Sequence, residues 1–324
     1  PRRHMSPDLA RRAVNFYLEH SSESDARAIS LYGGEPLLNR EVIEAAIEAV
    51  GERGLIGEIK LNVVTNCTLV NDRIVDMIVD NDLHLQISLD GPRHIHADNR
   101  VLASGKGTHD IVIENLKRLA DRIPDLARRT LFEVTIAPPY RISAIDTYFQ
   151  SLFDELGIDG DPMVMANFAN ISHVEDLYEE KYPNYRDAYT AEYRKAVDHY
   201  VSYCVEGRRD ELGPVYKAAF DRSMGALYRR SGSRVPEEIG LGGCCVPGVR
   251  KLYVDLDGRF LPCERMSYDY VIGDVEKGIS HDMVDNLYKD LGAAVRDRCL
   301  SCWAVRLCGL CFTYLERDGS NGGE

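Results

Sequence analysis

The sequence lacks three features that would assign it to other classes of protein. It has no apolar run approaching the roughly 18 residues that a membrane-spanning helix needs. It has no signal-peptide core, because an amphipathic stretch follows Pro1 to Met5. Its 39 Lys and Arg are outnumbered by 52 Asp and Glu, and the net charge of −13 argues against a partner held on a broad basic surface. We therefore expect a cytoplasmic protein with no membrane partner and no nucleic-acid partner.

The chain has 324 residues, and its first half alternates between buried strands and amphipathic helices. Ser6 and Asn71 are the expected N-caps of two of these helices. The predicted strands lie at residues 28–32, 59–64, 83–89, 131–136 and 163–165. Strands that alternate with helices of this length are typical of βαβ units and a parallel sheet. The sequence therefore predicts an α/β fold.

Polar residues follow three of the predicted strands. These segments are Gly33-Gly34-Glu35, Thr65-Asn66 and Ser88-Leu89-Asp90. Parallel sheets bind ligands at the carboxyl ends of their strands, so we expect the three segments to share one rim. Cys67 follows the second segment, and we interpret it as a buried thiol, with a rim-facing thiol as the alternative.

The alternation stops near residue 170. Residues 174–230 have a helical pattern that is rich in tyrosine and charge. Five tyrosines recur at helical spacing: Tyr178, Tyr182, Tyr185, Tyr189 and Tyr193. We interpret them as a packing stripe, with a substrate-docking face as the alternative. The glycine-rich run 240–243 is the expected boundary of a third segment.

Seven of the nine cysteines cluster near the C-terminal end of the sequence. They are Cys244, Cys245, Cys263, Cys299, Cys302, Cys308 and Cys311. Such clustering without a secretory signal favours a metal site over a disulfide framework. The pair Cys299–Cys302 has the CxxC spacing that can place two thiolates on one metal centre.

Iron–sulfur clusters are the favoured occupants, and zinc and disulfides are the alternatives. Only five residues separate Cys302 from Cys308, whereas the two pairs of a zinc ribbon are usually about 15–20 residues apart. Asp257-Gly258 between two apolar runs predicts a hairpin, which would bring Cys245 and Cys263 together.

The cysteine pattern resembles the auxiliary-cluster (SPASM) domain of radical S-adenosylmethionine (SAM) enzymes. The matching spacing is Cys245-x12-Gly258-x4-Cys263, followed after a gap by Cys299-x2-Cys302-x5-Cys308. The resemblance implies two [4Fe–4S] auxiliary clusters, one held by Cys245, Cys263 and Cys311 and the other by Cys299, Cys302 and Cys308. The fourth ligand of each is open, and Cys244 could be one of them. The chain departs from the family in having two residues, not three, before Cys311, and no later cysteine.

The strand-end motifs resemble the same family. Residues 32–38, with the sequence YGGEPLL, match its second-strand motif, and SLDGP at 88–92 and HxDNR at 96–100 follow in matching order. The resemblance implies that Gly33, Gly34 and Glu35 bind the amino end of S-adenosylmethionine. Its implied rim neighbours are Thr65, Asn66, Ser88, Asp90 and Arg100. Ser88 and Asp90 would face the ribose, and Arg100 would pair with the cofactor carboxylate or with Asp98.

The sequence contains no CxxxCxxC motif, which in this family holds the [4Fe–4S] cluster that binds the cofactor. Relatives carry that motif shortly before a helix that begins much like Met5-Ser6-Pro7. We therefore expect that the natural protein has an upstream segment with the motif, with natural loss of the motif as the alternative. In either case we expect that the chain as given does not cleave the cofactor.

The resemblance implies a fold, a function and partners. The expected fold is a partial (β/α)6 barrel without its first strand and cluster loop at residues 1–170, a helical bridge at 171–243 and a SPASM-type domain at 244–324. The expected function is that of a peptide maturase, which uses a 5′-deoxyadenosyl radical to modify a ribosomally made peptide. The favoured modification is a cross-link. The expected partners are a peptide or small-protein substrate and a one-electron donor such as flavodoxin or ferredoxin.

Two other functions remain open at this point. One is that of an anaerobic sulfatase-maturing enzyme, which makes formylglycine. The other, from a different class, is that of a non-catalytic iron–sulfur or zinc protein that binds a partner. Trp303, between Cys302 and Cys308, is expected to shield a cluster from solvent.

Overall fold

A computed structural model describes most of the chain. The described residues are 3–24, 26–158, 162–171, 174–229, 245–300, 302–303 and 311–315. The chain divides into two compact units, of which the first comprises residues 1–25, 44–53 and 226–324 and the second residues 26–43 and 54–225. The three-part division expected from the sequence stays a prediction.

The second unit contains a five-stranded parallel sheet, as the sequence predicts. The strands are β1 (Ala28–Leu31), β2 (Lys60–Thr65), β3 (His84–Ser88), β4 (Thr130–Ile136) and β5 (Met163–Phe168). They are hydrogen-bonded in sequence order, and every neighbouring pair is parallel. The carboxyl ends of all five strands therefore lie at one edge of the sheet.

The described α-helices number eleven. They are α1 (Pro7–His20), α2 (Arg40–Gly51), α3 (Asp72–Asp80), α4 (Arg93–His96), α5 (His109–Arg122), α6 (Leu126–Arg129), α7 (Ile142–Glu155), α8 (Glu175–Lys181), α9 (Tyr185–Val205), α10 (Pro214–Tyr228) and α11 (His281–Leu300). Both predicted N-caps are confirmed, since Ser6 Oγ accepts a hydrogen bond from Leu9 N and Asn71 Oδ1 accepts one from Ile74 N. None of the described helices is both long enough and apolar enough to cross a bilayer.

The two faces of the parallel sheet differ in polarity. On one face Phe132 is fully buried and packs against Phe149 and Phe153 of α7. Side chains alternate along a strand, so Glu133 lies on the opposite face. That opposite face is half-buried and includes Asn62 and Gln86 as well.

The tyrosines of the helical segment pack, which confirms the packing interpretation for part of the stripe. The rings of Tyr189 and Tyr193 contact Phe168 at the end of β5, and Tyr193 also contacts Phe220 of α10. Tyr185 is buried. Tyr178 and Tyr182 make specific hydrogen bonds instead, which are described with the site.

The first unit joins α1 to the C-terminal part of the chain. A small antiparallel sheet comprises β6 (Tyr253–Val254), β7 (Arg259–Leu261), β8 (Gly273–Asp274) and β9 (Gly278–Ile279). The predicted hairpin is confirmed, because β6 pairs with β7 across a turn in which Gly258 has φ +80°. Phe16 of α1 packs on Phe260 with ring centroids 4.7 Å apart, and Arg12 forms an ion pair with Glu276.

Candidate functional site

Glu35 organises the rim where β1 and β2 end. Its Oε1 accepts hydrogen bonds from Thr65 Oγ1 at 2.8 Å and from Leu37 N at 3.1 Å, and its Oε2 accepts one from Asn66 N at 2.8 Å. These bonds fix the carboxylate in one orientation and tie together two of the predicted segments. Asn66 Oδ1 in turn accepts two hydrogen bonds from Thr68.

Gly33 and Gly34 leave the rim open beside this carboxylate. A Cβ atom added at either glycine would meet nothing within 4 Å. The backbone there is exposed, so a ligand can approach its carbonyl and amide groups closely. An accessible backbone next to a fixed carboxylate can accept hydrogen bonds from an ammonium group, and in this respect the residues fit the amino end of S-adenosylmethionine.

The buried Asp90 carboxylate and the half-buried Arg100 side chain form an ion pair at the neighbouring strand ends. Arg100 donates from Nε to Asp90 Oδ2 at 2.6 Å and from a terminal nitrogen to Oδ1 at 3.1 Å. Asp90 Oδ1 also accepts a hydrogen bond from Thr135 N at 2.9 Å, which links the end of β3 to β4. The Arg100 guanidinium therefore pairs with Asp90 and not with Asp98. Ser88, at the end of β3, lies on the half-buried face of the sheet.

The buried His96 ring contacts the backbone of Asp90, and its burial makes it inaccessible to a metal or a ligand. It is 1% exposed, its Nδ1 accepts a hydrogen bond from Asp90 N at 3.3 Å, and its Nε2 lies 2.9 Å from Thr108 Oγ1. Thr108 Oγ1 donates to the Arg100 carbonyl at 3.1 Å. Burial lowers the pKa of His96 to about 4, so the ring is neutral near pH 7.

Helix α8 contacts the loop that carries Arg100. Tyr182, which follows α8, donates a hydrogen bond from its hydroxyl to Asp98 Oδ2 at 2.6 Å, and Lys181 Nζ lies 3.3 Å from Asp98 Oδ1. The Tyr178 hydroxyl donates to Asn99 Oδ1 at 2.9 Å. The helical segment thus holds the loop next to the rim.

The sequence motifs did not reveal a polar row on the half-buried face of the sheet. Gln86 Nε2 donates to Glu133 Oε2 at 2.7 Å, and Asn62 Nδ2 lies 3.5 Å from Gln86 Oε1 and 3.4 Å from Ser30 Oγ. The signal that could have revealed it was the placement of these polar residues at alternate positions of strands that are otherwise apolar.

Cys67 is a buried thiol, as predicted. It is 0% exposed, and its carbonyl accepts a hydrogen bond from Asn115 Nδ2 at 2.8 Å. Burial raises the pKa of the Cys67 thiol to about 12, with a smaller contribution from the Glu35 carboxylate. At neutral pH this thiol is neither a nucleophile nor a metal ligand.

The described cysteines of the C-terminal array do not form a complete metal site. Cys263 and Cys311 lie near enough to interact electrostatically, and burial is the main cause of the raised pKa of the Cys263 thiol. Cys299 is half-buried, and Cys245 and Cys302 are exposed. Within the described part of the chain, no three Cys, His, Asp or Glu residues are grouped as metal ligands.

Two predicted ligands, Cys244 and Cys308, lie outside the described residues, as does the boundary at 240–243. The predicted ligand sets therefore stay predictions. Trp303 was expected to shield a cluster, but its side chain is 89% exposed. The residues beside it in sequence, 301 and 304–310, are not described.

Comparison with known proteins finds a family that resembles the first part of this chain. Residues 1–142 match the family model of the radical SAM superfamily. The matched residues are somewhat less than half of the 324-residue chain. The uncharacterized protein MJ0907 of Methanocaldococcus jannaschii is 32% identical over 82 residues, which are 25% of this chain and 28% of that protein. The chain thus matches about a quarter of the length of this curated relative.

Solved structures share the fold over most of the chain. The structure of anSMEcpe with bound AdoMet and the Cp18Cys peptide has a TM-score of 0.64 and 21% identity, and the match covers 94% of this chain and 80% of that chain. The structure of anSMEcpe with bound AdoMet alone has the same TM-score, 18% identity, and coverage of 94% and 79%. The five-stranded sheet is therefore like that of a partial radical SAM barrel, with a small antiparallel sheet in the C-terminal part.

Proposed function

We propose that this protein is a radical SAM enzyme that modifies a peptide or a small protein. The observation that carries the proposal is the rim itself, where Gly33, Gly34 and Glu35 lie at the carboxyl edge of a radical SAM sheet. Anionic and backbone acceptors at such an edge are where this architecture binds its ligands. A likeness in fold to anSMEcpe, which is described with bound AdoMet and peptides, supports the same assignment.

Each rim residue receives a role from its contacts. Gly33, Gly34 and Glu35 would receive the ammonium group of S-adenosylmethionine, and Ser88 would face the ribose. Asp90 would face the ribose with Ser88, and Arg100 would position it through two hydrogen bonds to its carboxylate. These residues would hold S-adenosylmethionine at the rim, where one electron from a [4Fe–4S] cluster would give it the radical chemistry needed to remove a hydrogen atom from the substrate.

Auxiliary iron–sulfur clusters would be held by the C-terminal cysteines. Cys263 and Cys311 would share one cluster, and the electrostatic interaction between the two thiols is compatible with this assignment. Cys245 would complete the described part of that set, and Cys299, Cys302 and Cys308 would hold the second cluster. A flavodoxin or ferredoxin would be the one-electron donor.

Two chemical modifications of the peptide are compatible with the proposed function. Cross-linking of a ribosomally made peptide is favoured by the sequence of the cysteine array, in which Trp303 follows Cys302. This part of the array resembles that of peptide maturases that install cross-links. Oxidation of a cysteine or serine to formylglycine, as in an anaerobic sulfatase-maturing enzyme, is favoured by the fold shared with anSMEcpe.

The first test concerns the metal and the cofactor. The whole natural protein is purified and reconstituted anaerobically with iron and sulfide, and iron per chain and release of 5′-deoxyadenosine are measured. We expect about four irons for each cubane cluster present, and 5′-deoxyadenosine release that Glu35→Ala abolishes. Glu41→Ala, at an exposed position in the first turn of α2, is the matched control. Stoichiometric zinc without iron uptake would instead support the non-catalytic protein.

The second test separates the two modifications. The reduced holoenzyme is incubated with the Cp18Cys peptide, and the product is analysed by mass spectrometry. Conversion of the cysteine to formylglycine would assign the enzyme to sulfatase maturation. An unchanged Cp18Cys peptide, together with loss of hydrogen from a peptide encoded beside the enzyme's gene, would assign it to cross-linking.

A further inference from the structure

The polar row on the half-buried sheet face includes a carboxylate that the described residues engage on one side. From these residues, the Glu133 carboxylate receives one hydrogen bond, from Gln86 Nε2 to Oε2 at 2.7 Å. A carboxylate has about four acceptor sites on its two oxygens. Among the described residues, no Lys, Arg or His nitrogen lies within 4.0 Å of it. Its second oxygen, Oε1, is therefore open to a further donor.

The orientation of this carboxylate is fixed by its neighbours. Gln86 donates to Glu133 with its amide nitrogen, while its own oxygen lies 3.5 Å from the amide nitrogen of Asn62. These contacts orient the Gln86 amide so that its nitrogen faces Glu133. A fixed and half-buried carboxylate gains more from a donor than a mobile, fully hydrated one, because part of its hydration is already lost.

Glu133 lies close to the rim, so a donor that reaches its carboxylate would belong to a molecule bound beside the cofactor. In the register of β3 and β4, Glu133 is paired with Ser88, the last residue of β3. Asp90, two residues further along, belongs to the rim. One strand residue rises about 3.3 Å, so the carboxylate is within one or two residue lengths of the edge at which the cofactor is proposed to bind. A substrate that meets the radical must occupy this region.

We propose that Glu133, oriented by Gln86, is a substrate-recognition residue that accepts a hydrogen bond from an N–H group of the substrate. The donor is either a backbone amide or a cationic side chain such as a guanidinium group, and the charged donor would bind more strongly. This inference rests on the proposed function, because it assumes that a peptide occupies this face of the sheet. It adds the chemistry by which that peptide is recognised.

The test uses carboxyl footprinting of the wild-type holoenzyme. Carboxylates are labelled under anaerobic conditions with a carbodiimide and glycine ethyl ester, and the rate at each glutamate is read by peptide mass spectrometry. The probes are methylguanidinium and N-methylacetamide, which represent the cationic and the amide donor. Glu114, an exposed carboxylate on α5 that lies 4.0 Å from Arg118, is the internal control.

Binding of a donor at Glu133 would slow its labelling and leave Glu114 unchanged. We expect about a threefold decrease at a probe concentration of about twice its Kd, and a smaller decrease in Gln86→Leu, where Glu133 loses its fixed orientation. Protection by methylguanidinium alone would assign a cationic side chain, and protection by both probes would assign any N–H donor. Equal rates at Glu133 with and without both probes would overturn the proposal. The assay does not involve cofactor cleavage, so its failure is distinct from absent 5′-deoxyadenosine release, which would overturn the proposed function.

Discussion

The Tyr182 hydroxyl donates a hydrogen bond of 2.6 Å to the Asp98 carboxylate, across 84 residues of sequence. This contact joins the segment around α8 to the loop that carries Arg100. Helix α8 itself has no buried residue. Polar contacts, and not apolar burial, therefore hold the two segments together, and single hydrogen bonds should matter here more than they do in a packed core.

Replacing Tyr182 by Phe should loosen this loop. The lost hydrogen bond to a charged acceptor should cost about 1–2 kcal/mol of local stability. Amide hydrogen exchange across residues 93–100 should therefore become faster. Tyr203→Phe is the matched control, since its half-buried ring lies over Arg208 in the same unit. Unchanged exchange in Tyr182→Phe would show that the contact does not restrain the loop.

Replacing Asp90 by Asn should destabilise the protein strongly. The side chain is 5% exposed, and the change would leave Arg100 beside a neutral group. Removal of one partner from a fully buried ion pair costs about 3 kcal/mol or more. Because the Arg100 side chain is 27% exposed and can gain hydration, we expect a loss of about 2 kcal/mol, which urea unfolding would measure. Asp110→Asn breaks the exposed pair with Arg93 and should cost about 1 kcal/mol or less. Equal effects of the two variants would contradict a buried role for Asp90.

Stability should fall as the pH is lowered, because His96 is held neutral. Its pKa is lowered from 6.5 in the unfolded chain to about 4 in the fold, mainly by burial. Arg100 and His109 lower it further, whereas Asp90 opposes the shift. Between these two values the unfolded chain binds the proton and the folded chain does not, so protons favour unfolding.

The size of this pH effect follows from the two pKa values. The free energy of unfolding should decrease by about 2 kcal/mol from pH 7 to pH 5 because of His96. Urea unfolding at the two pH values would measure it, with His96→Gln as the variant in which this contribution is absent. A wild-type decrease no larger than that of His96→Gln would show that the imidazole is protonated in the folded protein.

Gly213 should not tolerate even a methyl group. A Cβ there would lie 1.9 Å from Asp146 Oδ2, and Asp146 Oδ1 accepts the hydrogen bond of Val215 N at the start of α10. Gly213→Ala should therefore destabilise the protein by about 2 kcal/mol, through displacement of this capping carboxylate. Gly292→Ala in α11 has open space around its Cβ and should be neutral or stabilising. Thermal unfolding of both variants would provide the comparison.

The sequence predicted the elements of the fold well because its signals were local. Asn71 was recognised as a cap, and Asp257-Gly258 as a hairpin turn, from residues that are adjacent in the chain. The rim segments could also be placed, since the ends of parallel strands meet at one edge whatever the details of packing. Their roles were less predictable. Asp90 accepts hydrogen bonds from Arg100 and Thr135 N, and such pairings depend on side-chain positions that no motif records. The ribose contact expected of Asp90 stays a prediction.

The hydrogen bond between Gln86 and Glu133 could not be predicted from the sequence motifs, for a different reason. Each residue lies in an apolar strand, and 47 residues separate them. Their contact exists only because β3 and β4 are neighbours in the sheet. The exposure of Trp303 likewise could not be predicted from the cysteines that lie near it in sequence.

The union of α1 with the C-terminal sheet has a consequence for biosynthesis. Arg3 pairs with Asp257, 254 residues away, and a Cβ on Gly258 would lie 3.1 Å from Leu9 of α1. Helix α1 is therefore synthesised long before the C-terminal residues that form its partner surface. Local contacts allow the parallel sheet to form earlier during translation, whereas this unit has a high contact order and closes late. Until then, the apolar face of α1 is exposed, and it can bind chaperones or promote aggregation.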